Sequence, residues 1–117
     1  MRGAAGLALL LAACSSHASD APAAGGETID CAIGGAVDFS HDCTVEHSAQ
    51  NGDPVLIVRD PAGGFRRFTV FDGGRSLGAA DGAQALAVAN DGKRVDVDVN
   101  GDRYRFAANM LSDAARR

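Results

Sequence analysis

The chain has 117 residues, of which 15 are acidic and 11 basic, and its formal net charge is −4. This length allows one domain, and the acidic balance argues against a protein that holds nucleic acid or anionic lipid by charge. With no tryptophan and one tyrosine, the core is expected to be small and aliphatic, and the three cysteines have to be accounted for.

The first residues have the features of an export signal. Met1 and Arg2 form a short positive start, and the apolar run GAAGLALLLAA ends at Cys14. That run is far shorter than the roughly 20 residues of a membrane-spanning helix. We therefore expect residues 1–13 to be a signal peptide.

The segment Leu11-Ala12-Ala13-Cys14 resembles the lipobox of bacterial lipoproteins, in which an aliphatic residue and two small residues precede the cysteine. The resemblance implies cleavage before Cys14 and lipidation of its thiol. By the sorting pattern of Gram-negative lipoproteins, Ser15 implies an outer-membrane protein facing the periplasm. The competing interpretation is an ordinary signal peptide, or a buried apolar strand, with an incidental cysteine.

Lipidation would place the mature chain on a membrane rather than in it. Two or three acyl chains anchor a protein durably, since each buried CH₂ contributes about 0.8 kcal/mol. Residues 14–26 contain SSHASDAPAAGG after the cysteine, which predicts a flexible tether that reaches at most about 40 Å. Removing Arg2 with the signal makes the mature chain one charge more negative than the full chain.

Cys31 and Cys43 remain, and in an oxidising compartment they are most simply a disulfide, worth about 3 kcal/mol for a loop of this size. A metal cluster or a Cys/His nucleophile is the alternative, because SHDCTVEH surrounds Cys43 with polar groups. In a strand, however, Glu46 points away from Cys43 and His47, so these ligands do not converge. A cysteine with an oxidising partner is also not a free thiolate.

Residues 27–108 have the turn residues and short apolar runs of an all-β domain. Seven runs rich in β-branched and aromatic residues recur between clusters of Gly, Asp, Asn and Pro. They are ETIDCAI, CTVEHS, PVLIVRD, FRRFTVFD, ALAVAN, RVDVDV and DRYRFA. We predict a small antiparallel meander that closes as a barrel or stacks as a sandwich, because either form hides the apolar face of a sheet. Residues 109–117 are predicted to be a tail, either a helical turn or frayed.

The predicted core is made of apolar residues from these runs. Connections are expected at Asp60–Gly64, Asp72–Gly74 and Asp91–Gly92, where Asp and Gly supply turn geometry. Turn geometry thus accounts for many carboxylates, and nothing places two of them together as a catalytic pair. The core residues are Ile29, Ile33, Val45, Leu56, Val58, Phe68, Val70, Leu86, Val88, Val95, Val97, Tyr104 and Phe106.

The segment VDVDVNGDRYRF predicts a hairpin with Asn100 and Gly101 in a type I′ turn, because both residues accept positive φ. That turn fixes a register in which apolar residues face apolar ones and opposite charges face each other. The predicted pairs are Asp98 with Arg103, Val97 with Tyr104, Asp96 with Arg105, and Val95 with Phe106.

The same segment also resembles the start of an EF-hand calcium loop, whose ligands would begin at Asp96. The twelfth position, where such a loop needs a bidentate glutamate, is Ala107. The flanking residues do not have a helical pattern. The hairpin therefore explains these residues better than a calcium site does.

Phe65, Arg66 and Arg67 form the candidate binding surface of the sequence, because exposed aromatic and arginine side chains are common in interfaces. The simpler alternative is a strand in which Phe68 is buried and the arginines neutralise an acidic surface.

These features predict an exported, lipid-anchored envelope lipoprotein that is a non-enzymatic binding or structural module, without catalytic residues, metal or cofactor. Its expected partners are the membrane, through Cys14, and an envelope protein, but not nucleic acid. The alternative is a small-ligand-binding module or a lysozyme inhibitor, since Cys31-Ala32-Ile33-Gly34 resembles the early cysteine and glycine of small lipoproteins that inhibit lysozyme. Those proteins are similar in size and β-architecture, but their Ser-rich inhibitory segment has no counterpart here.

Overall fold

The computed structural model describes residues 26–80 and 85–117. In these residues, eight strands form one antiparallel sheet that curls into a nearly closed barrel. The all-β prediction is confirmed, and the barrel is the form that the meander takes. The strands are β1 (Glu27–Ala32), β2 (Ser40–Gln50), β3 (Asp53–Arg59), β4 (Phe65–Phe71), β5 (Ser76–Ala79), β6 (Ala87–Asn90), β7 (Arg94–Val99) and β8 (Asp102–Ala107). A 3₁₀ turn (Asp72–Gly74) follows β4, and helix α1 (Ala108–Ala115) follows β8.

The strand order is β5-β4-β3-β2-β1-β8-β7-β6, so two meanders meet at β1. Strand β1 pairs with β2 on one side and with β8 on the other, which joins the two meanders. Strands β5 and β6 are the two edges of the sheet. The side-chain amide of Asn90 links these edges by donating to the carbonyl of Arg75 at 3.2 Å.

Two Asn-Gly turns set the register of two hairpins. Asn51 and Gly52 between β2 and β3 have φ of 54° and 87°, and Asn100 and Gly101 between β7 and β8 have φ of 50° and 85°. Positive φ at both central residues is the requirement of a type I′ turn. The turn predicted at Asn100 is confirmed, and the one at Asn51 was missed by the sequence reasoning although it carries the same dipeptide.

The β7–β8 hairpin has the predicted register throughout, with Asp96 opposite Arg105 and Asp98 opposite Arg103. The first of these pairs forms an ion pair, Arg105 Nε to Asp96 Oδ1, at 2.9 Å. Asp98 faces Arg103 as predicted, but no ion pair joins these two described side chains. Arg103 instead donates to backbone carbonyls of the β1–β2 loop, and a guanidinium engaged there is not aimed at Asp98.

Alternating side chains from the strands fill the barrel interior. Every residue of the predicted core packs there, although Ile33, Leu86 and Val88 are only partly buried. The Phe68 ring meets Tyr104 and Phe106 edge to face, at centroid distances of 5.6 and 6.1 Å. The core thus has its few aromatic rings in one cluster.

The predicted disulfide between Cys31 and Cys43 is confirmed and lies inside the barrel, with a Cα–Cα distance of 6.0 Å. Both cysteines are almost fully buried, at 2% and 0% exposure. The bridge is therefore part of the core as well as a covalent link between β1 and β2.

Helix α1 closes one end of the barrel by burying Leu111 and Ala114 in the core. The helix backbone packs directly on Gly74, where an added Cβ would lie 2.6 Å from the Leu111 carbonyl oxygen. The C-terminal segment is therefore a structural element and not a loose tail. Among the described residues, no helix has the length and apolarity needed to cross a membrane.

Candidate binding surfaces at the loop end of the barrel

The two ends of the barrel differ in what closes them. At the helix end, α1 covers the interior, and strand β1 begins there at Glu27. The opposite end, here called the loop end, carries the β1–β2 loop, the β3–β4 loop and the Asn100–Gly101 turn, because antiparallel strands return to it. We name residues 33–39, which connect β1 to β2, the rim loop.

Arg66 points into the barrel at the loop end, on the same side of β4 as the buried Phe68. Its Nε donates to the Tyr104 hydroxyl at 3.1 Å, and its Nη2 donates to Asp102 Oδ2 at 2.9 Å. The Tyr104 hydroxyl lies 3.5 Å from the same carboxylate oxygen. This polar network, Arg66, Asp102 and Tyr104, closes the loop end as α1 closes the other.

The network shifts the protonation of its members. Burial alone would raise the pKa of Asp102, but hydrogen bonds from the Gly34 amide and from Arg66 outweigh it and hold that pKa below its usual value. For Arg66, burial acts to lower the pKa, and hydrogen bonds to Asp102 and Tyr104 raise it overall. Burial is the main cause of the raised pKa of the Tyr104 hydroxyl. At neutral pH the network is therefore an ion pair bonded to a neutral phenol.

The predicted surface of Phe65, Arg66 and Arg67 is divided by the alternation of β4. Arg66 is held inside by the polar network, whereas Phe65 and Arg67 lie on the outer face. There Phe65 is 52% exposed, with the Arg59 and Arg67 guanidinium carbons 5.8 and 5.5 Å from its ring centroid. Arg59, missed by sequence reasoning, belongs to this surface because it is directly opposite Phe65 in the β3–β4 register. We call Arg59, Phe65 and Arg67 the cation–π face.

The start of the rim loop is hydrogen-bonded to the tip of the β7–β8 hairpin. The Gly34 amide donates to Asp102 Oδ1 at 2.7 Å, and the Gly35 amide donates to the Gly101 carbonyl at 2.9 Å. Both glycines have positive φ, 68° and 82°. Asp102 also accepts a hydrogen bond from Arg66 inside the barrel. One carboxylate therefore binds both the rim loop and the interior of the loop end.

The middle of the rim loop is held by Arg103. Its Nη2 donates to the carbonyls of Ala36 and Val37, at 2.9 and 2.8 Å. The Phe39 ring lies against Arg103 and Arg105, whose guanidinium carbons are 4.7 and 4.0 Å from its centroid. The middle and the end of the loop are therefore attached to two arginines on the outer face of β8.

Val37 projects from this braced loop with 85% of its surface exposed, more than any other large apolar residue in the described part of the chain. The Cys31–Cys43 disulfide joins the strands on either side. Asp38 and Asp42 nearby are exposed and have no ion-pair partner among the described residues. The tip of the rim loop thus offers an apolar side chain beside negative charge.

A groove of about 260 Å³ runs along the outer face beside Phe39, where Ala87 and Ala89 leave space next to Asp98. Elsewhere on the outer face, Nδ1 of His41 lies 2.7 Å from Oδ1 of Asp30. Among residues 26–80 and 85–117, no three His, Cys, Asp or Glu side chains are grouped to hold a metal ion. The proposed lipidation site, Cys14, lies outside the described residues.

No protein-family model, curated protein or solved structure matches this chain. Its described residues form a small disulfide-bonded antiparallel barrel with a helix at one end and a braced loop at the other.

Proposed function

We propose that this chain is an exported, lipid-anchored module of the bacterial cell envelope that binds a protein partner through its rim loop and has no catalytic role. The anchor rests on the lipobox-like segment ending at Cys14, and Ser15 favours the outer membrane, facing the periplasm. The binding role rests on the rim loop.

The observation that carries the binding role is the exposure of Val37 on a loop that is already fixed. When a partner covers an exposed apolar side chain, that surface leaves water and the free energy of the complex is lowered. A loop held by hydrogen bonds to Gly34, Gly35 and the carbonyls of residues 36 and 37 loses little conformational entropy on binding. The rim loop is thus preorganised to present Val37.

The neighbouring charges indicate the kind of partner. Asp38 and Asp42 lie close to Val37 in sequence, and the whole chain is acidic. A partner that fits has an apolar pocket for a β-branched side chain with basic groups at its rim. The barrel interior is filled by packed apolar side chains, which favours binding through the outer surface.

The test is site-specific photo-crosslinking in intact cells, with the crosslinking residue at position 37 of the full acylated chain. We expect one defined adduct, which is lost when Asp38→Lys is added. Position 71 is the matched control, because Phe71 is 49% exposed at the helix end. The rim-loop proposal is wrong if both positions give the same adducts, and the anchor proposal is wrong if Cys14→Ser still labels with radioactive palmitate.

A second candidate function, inhibition of a lysozyme, is favoured by the same braced loop. An inhibitor needs a rigid exposed segment that can enter the cleft of an enzyme, and the rim loop has that form. The purified full chain should then slow hydrolysis of cell walls by lysozyme, and Val37→Asp should relieve the inhibition. Undiminished hydrolysis at a large molar excess of the chain would exclude this candidate and leave the envelope partner untouched.

A further inference from the structure

The groove on the outer face of the barrel adjoins the rim loop, because Phe39 is the last residue of that loop and also lines the groove. The alanines of β6 lie along its other side, with Asp98 beside Ala87. We call this site the Asp98 groove. From its position and its charge we infer that it receives a lysine side chain of the protein that binds the rim loop. This assignment depends on the proposed function, because the lysine belongs to the partner of that loop.

Asp98 is an exposed carboxylate that the protein itself leaves unpaired. Its cross-strand neighbours on the outer face are Ala87 of β6 and Arg103 of β8. Arg103 donates through Nη2 to the carbonyls of residues 36 and 37 instead, at 2.9 and 2.8 Å. Among the residues that the structure describes, Asp98 has no ion-pair partner. The hydrogen bonds that fix the rim loop therefore also leave a negative charge available beside it.

The other charged groups of the groove are already engaged. Arg105 holds Asp96 with Nε at 2.9 Å and Nη2 at 3.3 Å, so this pair balances its own charge. The Arg103 guanidinium is directed to the rim loop and lies 4.7 Å from the Phe39 centroid. Since β7 lies between β6 and β8, a cation that enters from the β6 side meets the carboxylate of Asp98 before it meets Arg103.

The lining of the groove fits an aliphatic chain that ends in a compact cation. Its volume of about 260 Å³ is several times the roughly 30 Å³ of one water molecule, so a long side chain has room. Ala87, Ala89 and the Phe39 ring offer apolar surface that the methylene groups of a lysine can cover. The lysine ammonium is a point charge that a single carboxylate can hold, which matches the one unpaired acid, Asp98.

An anionic occupant is disfavoured by the charges around the groove. Asp38 and Asp42, near the tip of the rim loop, are exposed and unpaired among the described residues, as Asp98 is. The two arginines of the groove are bonded to a carboxylate and to backbone carbonyls. The free charge on this side of the barrel is therefore negative and complements a basic partner.

The test measures binding of blocked amino acids to the purified, isotope-labelled full chain carrying Cys14→Ser, by two-dimensional amide NMR at constant ionic strength. The probes are Nα-acetyl-lysine methylamide, the norleucine compound, which has the same carbon chain without the ammonium group, and the glutamate compound. We expect only the lysine probe to give saturable shifts of the backbone amides of residues 87–89 and 96–98. Asp98→Asn should raise its Kd about three- to fivefold, the upper part of the range for one exposed ion pair. Ala87→Leu, which fills the groove, should abolish the saturable shifts.

Matched controls lie on the same barrel outside the groove. Asp53→Asn removes another exposed acid that has no ion-pair partner in the described part of the chain, and Ala49→Leu enlarges an exposed alanine of β2. Neither should change the Kd of the lysine probe. Val37→Ser should also leave it unchanged, because Val37 does not line the groove.

A second measurement connects the groove to the partner. With the photo-crosslinking residue at position 37 of the acylated chain in intact cells, Asp98→Lys should reduce the yield of the adduct. Asp53→Lys makes the same change of charge at the helix end and should not reduce it.

The lysine site is wrong if the norleucine or glutamate probe shifts the same amides as strongly, or if Asp98→Asn leaves the Kd unchanged. It is also wrong if Asp98→Lys does not reduce the adduct at position 37, since the partner would then bind without using the groove. If the lysine probe fails to bind while position 37 still gives its adduct, only this site is excluded and the rim-loop partner stands. If the probe binds but position 37 gives no defined adduct, the rim-loop partner is excluded, and with it the assignment of the lysine to that partner.

Discussion

The helix end and the loop end of the barrel are both closed by side chains, but of different chemical kinds. At the helix end, Leu111 and Ala114 enter the core and the helix backbone rests on Gly74. At the loop end, Arg66 reaches across the interior to Asp102 and Tyr104. An apolar closure depends on close packing, whereas a polar one depends on charge and on every partner being present. The two ends should therefore respond differently to truncation, to pH and to salt.

The largest single effect is expected at the helix end. Leu111→Ala removes a side chain with no exposed surface and leaves a cavity, so it should lower the free energy of unfolding by about 2 to 5 kcal/mol. Urea denaturation of the full chain measures this. Asn109→Ala, on the exposed side of the same helix, is the control and should cost less than about 0.5 kcal/mol. Equal losses would mean that α1 does not pack on the barrel.

Removing the disulfide at the loop end should have the next largest effect on stability. Replacing Cys31 and Cys43 together by alanine frees a loop whose ends are 12 residues apart, and the chain-entropy estimate is about 3 kcal/mol. The lost packing of two buried sulfurs adds to this. Amide hydrogen exchange should show faster exchange in the rim loop than at α1. Uniform acceleration over the whole barrel would show that the bridge stabilises the fold globally and does not specifically hold the loop.

Breaking the polar network should have a smaller effect. Arg66→Met leaves Asp102 and Tyr104 partly buried without their shared donor, which should cost about 1 to 3 kcal/mol. The neighbouring variant Arg67→Met changes the same residue type on the outer face and should cost less than about 1 kcal/mol. If the two variants are equally stable in urea, the network contributes nothing to closing the loop end.

Acid should weaken the loop end before it weakens the helix end. Because the folded pKa of Asp102 is lowered, its contribution to stability is complete above about pH 5 and is lost as the pH falls below about 4. Asp102→Asn removes this contribution, so its stability should depend less steeply on pH between about 5 and 2 than that of the native chain. Parallel pH profiles of the two proteins would contradict the lowered pKa.

Local sequence pattern was sufficient for most strands and for the hairpin register, because alternation and the Asn100–Gly101 turn act over short distances. Strand β5 was missed, since SLGA is short and contains Gly78, over which the Phe71 ring lies. The position of Arg66 could have been found, because strict alternation with the buried Phe68 places it inside. The arrangement of the rim loop could not have been predicted from the sequence, because its hydrogen bonds join residues more than 60 positions apart.

The smallest predicted effect separates local from tertiary determinants within one hairpin. Asp96 and Asp98 are equivalent in the sequence pattern, but only Asp96 keeps its cross-strand arginine. Asp96→Asn should therefore cost up to about 1 kcal/mol, less in high salt, whereas Asp98→Asn should be neutral within about 0.3 kcal/mol. The control for the loop is Ala36→Gly. It keeps the backbone carbonyl of residue 36 that accepts a hydrogen bond from Arg103, so the position of Arg103 should not change. If Asp98→Asn proves as costly as Asp96→Asn, then Arg103 pairs across the strands in solution, and the rim loop is held by fewer bonds than its geometry indicates.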